Sequence, residues 1–189
     1  SVYLVLAVII LFQEDIRKGL AKAGALFPSI QKDDLPAIEE VIKVSFFLAK
    51  RRQGALIAIE RRASLTEYVE TATQLDAKVN IELLQAIFLP NSPLHDGAII
   101  IQKNRIASAQ SYLPLSTSKN IHKWYGTRHR AAIGLTEMTD AIVVVVSEER
   151  GTVAMAQNGH LNVLRDSNEM RQAIYDAFKQ EEEADNAEG

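Results

Sequence analysis

The hydrophobic pattern divides the chain into an apolar opening, a helical first half and a strand-rich second half. Residues 2–12 (VYLVLAVIILF) are uniformly apolar. Crossing a bilayer takes about 20 such residues, so the run is either the end of a longer transmembrane helix or a buried core element. The charged exit Gln13-Glu14-Asp15-Ile16-Arg17-Lys18 favours a membrane boundary. The chain begins at Ser1 rather than Met, as a fragment or processed product would. Residues 13–25 read as a short amphipathic helix broken at Phe27-Pro28-Ser29. The spacing of Ile38, Val41, Ile42, Ser45, Leu48 and Ala49 predicts a second helix. Asp33 or Asp34 would cap it, Pro36 suits its first turn and Gly54 would stop it.

Ala55 to Ile59 reads as a buried strand, residues 64–71 as a helical turn or two, and residues 80–88 as a helix capped by Asn80. Beyond Ala98 the period shortens. Residues 98–102 and 105–110 flank Lys103-Asn104, and residues 152–157 and 160–164 flank Asn158-Gly159, which predicts two tight hairpins. Thr127 to Gly134 starts a helix, Ala141 to Val146 is an apolar strand, and Ser167 to Lys179 is a last helix. No repeat and no linker between separate cores is visible. The pattern predicts an α/β (mixed) fold, a single globular domain with a central, mostly antiparallel mixed β-sheet surrounded by α-helices. Residues 1–24 are expected to form a membrane helix end and connector, residues 25–180 the domain, and residues 181–189 a disordered acidic tail.

Composition narrows the function classes. A net charge of −3 argues against general nucleic-acid binding, and the absence of Cys excludes thiol chemistry and disulfides. There is no glycine-rich P-loop, no dinucleotide fingerprint and no Gly-x-Ser-x-Gly element. Charge is distributed unevenly, however. From residue 97 to residue 136 there is no Asp or Glu, although the chain carries 24 acids. The same stretch holds Lys103, Arg105, Lys119, Lys123, Arg128 and Arg130. Carboxylates stand only outside it, at Asp96 and Glu137 and, after an apolar strand, at Glu148-Glu149. Such a layout suits a polyphosphate and its divalent cation: guanidinium groups grip phosphate oxygens in pairs, and carboxylates hold the metal.

Within this window Gly126-Thr127-Arg128-His129-Arg130 opens a helix, where backbone N–H groups and two guanidinium groups can cradle phosphate. Asp96-Gly97 is either a plain turn or a carboxylate presented at a sheet edge, and His95 is either a metal ligand or a packed turn residue. Tyr112-Leu113-Pro114-Leu115 offers either a base-stacking surface or core packing, while Trp124 and Tyr125 read as structural.

These residues carry a resemblance. Pro93-Leu94-His95-Asp96-Gly97-Ala98 and Gly126-Thr127-Arg128-His129-Arg130-Ala131-Ala132-Ile133-Gly134 resemble the two long motifs of the diadenylate cyclase (DAC domain) family. Tyr112 to Leu115 and Val146-Ser147-Glu148-Glu149 follow in the family's order, so that the likeness covers about residues 35–165. The opening is similar to the connector of the membrane-anchored subgroup, in which several membrane helices precede the catalytic domain. Gln110-Ser111 and Glu70-Thr71 depart from the family pattern.

The resemblance implies condensation of two ATP into cyclic di-AMP with release of two pyrophosphates, at the face-to-face interface of a homodimer. It implies Asp96, Arg128, His129 and Arg130 as catalytic residues. Gly97, Ala98, Tyr112, Leu113, Thr127 and Ser147 would bind substrate, and Asp96, Glu149 and His95 would hold Mn²⁺ or Mg²⁺. It further implies no nucleic-acid partner and a prokaryotic cell-membrane location, with the catalytic domain in the cytoplasm. Two other readings are a non-catalytic sensor of ATP or cyclic di-AMP and a membrane-tethered interaction module.

Overall fold

A computed structural model describes residues 35–119 and 121–188. The apolar opening, the expected helix over residues 13–25 and the Asp33 or Asp34 cap lie outside the described residues. Among the described residues, no helix is long and apolar enough to cross a membrane.

Seven strands make one sheet: β1 (Ala55–Ile59), β2 (Thr73–Lys78), β3 (Ala98–Gln102), β4 (Arg105–Ser111), β5 (Ile142–Val146), β6 (Val153–Gln157) and β7 (His160–Leu164). Their spatial order is β2-β4-β3-β1-β5-β6-β7. Only β1 and β3 run parallel; every other neighbouring pair is antiparallel, as expected. Among the described residues, five helices cover the sheet: α1 (Leu35–Lys50), α2 (Thr66–Glu70), α3 (Ile81–Ile87), α4 (Thr127–Met138) and α5 (Ser167–Glu188).

The alternation of side chains along a strand sends successive residues to opposite faces. Ala55, Ile57 and Ile59 of β1 join α1, α3 and α5 in one core, whereas Leu56 and Ala58 join α2 and α4 in the other. The central strands therefore have no polar face, which is why β1 and β5 read as continuous apolar runs. Each fully buried Ile, Leu or Val contributes about 1.5–3 kcal/mol.

Local chemistry sets the boundaries. Asn80 caps α3, its side chain accepting from the Leu83 N–H at 2.8 Å. The hairpin turns Lys103-Asn104 and Asn158-Gly159 all take positive φ, as a tight two-residue turn requires. Three expectations need correction. Helix α1 does not stop at Gly54: Arg52 adopts a left-handed φ of 55°, and the Gln53 and Arg52 N–H groups close onto the Leu48 and Ala49 carbonyls. That pattern is a Schellman stop built on an arginine, which leaves Gly54 for another purpose. Strand β2 has no counterpart in the pattern, because it is a largely exposed edge strand kinked at Asp76 (φ 45°). Helix α5 extends past Lys179 to Glu188, a stretch whose Glu and Ala residues favour helix by propensity.

Candidate functional site

Chain direction brings the charged segments to one end of the sheet. Pairing β1 parallel to β3 and antiparallel to β5 puts the starts of β1 and β3 beside the end of β5, with Ala55 opposite Val146. The β3–β4 hairpin returns Ser111 opposite Ala98 at that same end. Gly54, Asp96-Gly97, Ser111-Tyr112 and Ser147-Glu148-Glu149 thus converge from four places in the sequence. A cavity of about 550 Å³ opens there. Asp96, Gly97, Tyr112, Leu113, Thr127, Arg128, His129, Ser147 and Glu149 all line it. Ala98, the buried first residue of β3, does not, nor do His95 and Arg130.

The wall carrying Asp96 depends on a glycine and a bulge. Gly97 takes φ +94°, and a Cβ on it would come to 3.0 Å from both the Gln110 carbonyl carbon and the Ser111 oxygen. Only glycine satisfies both conditions. The register shifts between Ala98 and Ile100, and Gln110 takes φ 57°, so β4 bulges and turns Tyr112 towards the cavity. Gln110, a departure from the family pattern, lies outside the lining. Its amide N–H donates to the Pro93 carbonyl at 2.7 Å and its carbonyl accepts from the Thr73 hydroxyl at 2.8 Å, which ties the Asp96 loop to the edge strand. Ser111, the other departure, is buried and shares a 2.8 Å hydroxyl contact with Ser108.

The opposite wall is the start of α4. Its N-cap, Gly126, has extended backbone and no side-chain cap. The first N–H groups of the helix therefore lack an intrahelical acceptor and favour an anion. Arg128 donates to Glu148 at 2.6 Å. Burial holds His129 below its ordinary pKa, with Arg150 and Arg128 acting in the same direction and Glu149 opposing. His129 also stacks on Tyr125, the ring centroids 4.8 Å apart and the planes 4° from parallel. Arg130 faces elsewhere along the helix, and its carbonyl accepts the Ser116 N–H, pinning the segment after Leu113.

The β5–β6 turn presents the carboxylates. The Ser147 N–H donates to the Thr152 carbonyl and the Gly151 N–H to the Ser147 carbonyl, while Arg52 donates to the Glu149 carbonyl at 3.1 Å. Asp96 and Glu149 are hard oxygen donors on the same cavity, a donor set that suits Mg²⁺ or Mn²⁺. The His95 Nδ1–H donates to the Ser92 carbonyl at 2.6 Å, which holds the ring in the turn before Asp96. Among the described residues, no group of three or more His, Cys, Asp or Glu is gathered as a ready metal cage.

Sequence reasoning missed Gly54, Glu148 as a partner of Arg128, and Trp124 as part of the lining. Trp124 lies under the Arg150 guanidinium at 3.9 Å and stacks on His122. Its position four residues before Arg128 was the available signal. Tyr125, stacked on His129, is structural as expected.

Arg128 at an uncapped helix start and the carboxylates Asp96, Glu148 and Glu149 thus share one aromatic-edged cavity on a mixed α/β sheet. The chain belongs to the DAC family, described as DisA bacterial checkpoint controller nucleotide-binding, which matches residues 44–161. It is 48% identical over 163 residues to the cyclic di-AMP synthase CdaA of Bacillus subtilis (strain 168), covering 83% of this chain and 60% of that relative. The chain thus spans less than two thirds of that relative's length. Among solved structures, DacA from Staphylococcus aureus aligns with a TM-score of 0.74 at 44% identity, covering 78% of this chain and 99% of that one. A hypothetical membrane spanning protein from Bacillus cereus aligns with a TM-score of 0.64 at 37% identity, over 83% of this chain and 79% of that one.

Proposed function

We propose that the chain is a diadenylate cyclase that condenses two ATP into cyclic di-AMP, one ATP held by each of two protomers. The observation that carries this reading is the size and furnishing of the cavity. At about 550 Å³ it suits one nucleotide, and it holds Asp96, Arg128 and Glu149 together. A second substrate must then arrive on a second copy. The 3′-hydroxyl of one ATP attacks the α-phosphorus of the other; the new P–O bond forms as the bond to the β-phosphate oxygen breaks, and pyrophosphate leaves. The reciprocal step closes the ring and releases a second pyrophosphate.

Asp96 is the acceptor for the 3′-hydroxyl proton. Asp96 and Glu149 would hold the divalent cation, Mn²⁺ or Mg²⁺, whereas His95 stands outside the cavity they line. Bound there, the cation would offset charge on the α-phosphate oxygens. Arg128 and the uncapped α4 N–H groups bind the departing β- and γ-phosphates, and Arg130 adds positive charge from the same helix. His129, held towards its neutral form, is a hydrogen-bond donor to phosphate instead of a second cation. Thr127 and Ser147 supply hydroxyls to the nucleotide, and Tyr112 and Leu113 supply the surface for adenine, above the Gly97-Ala98 backbone. Alignment of the two substrates contributes most of the rate. The likeness to a membrane spanning protein supports attachment to a prokaryotic cell membrane, with the catalytic domain on its cytoplasmic side.

The test is incubation with ATP and Mn²⁺, followed by mass detection of cyclic di-AMP. Product should form at a rate that rises more than linearly with protein concentration. Asp96→Asn should keep ATP binding while losing at least about 100-fold in turnover, the scale of a lost proton acceptor and metal charge. ATP bound but unconverted at high protein concentration with either metal would replace the cyclase with a nucleotide sensor.

A further inference from the structure

We propose that Glu148, seated in the gap left by Gly54, is a positioning residue that aims the Arg128 guanidinium at the phosphates. The inference rests on the cyclase reading and extends it to a residue given no role there.

Three observations converge. Arg128 Nη1 donates to Glu148 Oε2 at 2.6 Å, and the arginine side chain is 25% exposed while the glutamate is 54% exposed. Gly54 has no left-handed φ to explain it. A Cβ at Gly54 would lie 2.6 Å from Arg128 Nη1 and 2.8 Å from its Cζ, and would also strike Glu148 Oε2. A side chain at position 54 would push aside the tips of both partners, so the space the glycine leaves is filled by the ion pair itself. Both partners line the cavity.

The chemistry follows from the shape of the guanidinium, a planar fork with five donors. One terminal N–H is committed to Glu148 over Gly54, which fixes the plane and leaves the remaining donors for phosphate oxygens. An arginine held in this way loses little rotamer freedom when the nucleotide binds. The two adjacent glutamates thereby divide the work: Glu148 orients the arginine, and Glu149 serves the cation.

The test uses the sole tryptophan of the chain, Trp124, whose place in the cavity lining makes its fluorescence a reporter of nucleotide binding. A non-cleavable ATP analogue is titrated into wild type, Glu148→Ala, Glu148→Gln, Arg128→Ala and the Glu148→Ala/Arg128→Ala double variant. Mn²⁺ affinity is measured separately without nucleotide. Glu148→Ala should weaken analogue binding about tenfold, the scale of one charge-assisted hydrogen bond. Glu148→Gln, which keeps an acceptor oxygen, should recover most of that loss. In the Arg128→Ala background, Glu148→Ala should add almost nothing. Gly54→Ala, with its melting temperature recorded as the folding control, should weaken binding in the same way.

Additive losses in the double variant would overturn the proposal. So would tighter analogue binding by Glu148→Ala, which would make the pair a competitor of phosphate. Loss of Mn²⁺ affinity in Glu148→Ala would make Glu148 a metal ligand and overturn it equally. Wild type that binds the analogue yet makes no cyclic di-AMP would refute the cyclase reading alone, with the coupling between positions 148 and 128 still measurable. Wild type that binds no triphosphate would refute both.

Discussion

Replacing Gly134 by Ala should destabilise this domain, although the same change in most helix interiors stabilises. Gly134 is buried in the middle of α4, and nothing about its backbone demands glycine. An unhindered Gly→Ala change in a helix gains about 1 kcal/mol. Here the added Cβ would strike the Pro114 carbonyl oxygen and come to 2.7 Å from the Ser116 nitrogen and 2.9 Å from the Leu115 carbonyl carbon. All three are backbone atoms, so no side chain can swing aside. Overpacking of this kind costs about 1–3 kcal/mol. Displacing the segment also breaks the 3.0 Å hydrogen bond from the Ser116 N–H to the Arg130 carbonyl, for about another 1 kcal/mol. Setting the helix gain against these losses leaves a net destabilisation of about 1–3 kcal/mol, or roughly 5 °C in melting temperature for a domain of this size. Calorimetric melts of wild type and variant would measure it. Nucleotide affinity should fall in parallel, because Tyr112 and Leu113 immediately precede the displaced backbone. A variant that melts at or above wild type would show that residues 114–116 yield freely, and the tight helix-to-loop packing would lose its assigned importance.

Two further predictions concern stability and its balance against binding. Gly126→Ser should raise stability by a few tenths of a kcal/mol, since the position is an extended N-cap with open space for a side chain. On the proposed reading the same hydroxymethyl group enters the space for phosphate, so ATP affinity should drop; a stabilised variant with undiminished affinity would mean the helix start does not contact the nucleotide. Arg171 of α5, hydrogen-bonded to Glu39 of α1 at 2.5 Å, holds that carboxyl below its ordinary pKa against the opposing effect of burial. A carboxylate depressed in the folded state contributes stability that is complete above its unfolded value and is lost as pH falls through its folded value. Melts between neutral and acid pH should therefore show a steeper acid decline in wild type than in Glu39→Gln; equal slopes would mean the pair contributes nothing at acid pH.

Much of this architecture was legible because local and global demands agree. The Lys103-Asn104 and Asn158-Gly159 turns, the Asn80 cap and the all-apolar β1 and β5 runs each announce their own structure. Elements stabilised from elsewhere were not legible. Strand β2 exists because β4 supplies its partners, not because its own residues are buried. Arg52 takes a conformation usually given to glycine, while the nearby glycine serves a salt bridge that reaches it from residues 128 and 148. The candidate site divides along the same line. Asp96 and Arg128 stand out by type and setting, but the approach of Glu148 and Glu149 to them is a product of antiparallel pairing between β1 and β5, which no local spacing encodes.

The orientation of the strands also separates the molecule into a chemical end and a mechanical end. The cavity occupies the end where β1 and β3 begin, whereas the Lys103-Asn104 hairpin turn lies at the other, one strand length away or about 17 Å. An inserted peptide, fluorophore or surface tether at that turn would leave both the cavity and its approach open. The fold thus offers an attachment port, through which the domain can be immobilised or observed while the cavity end stays free.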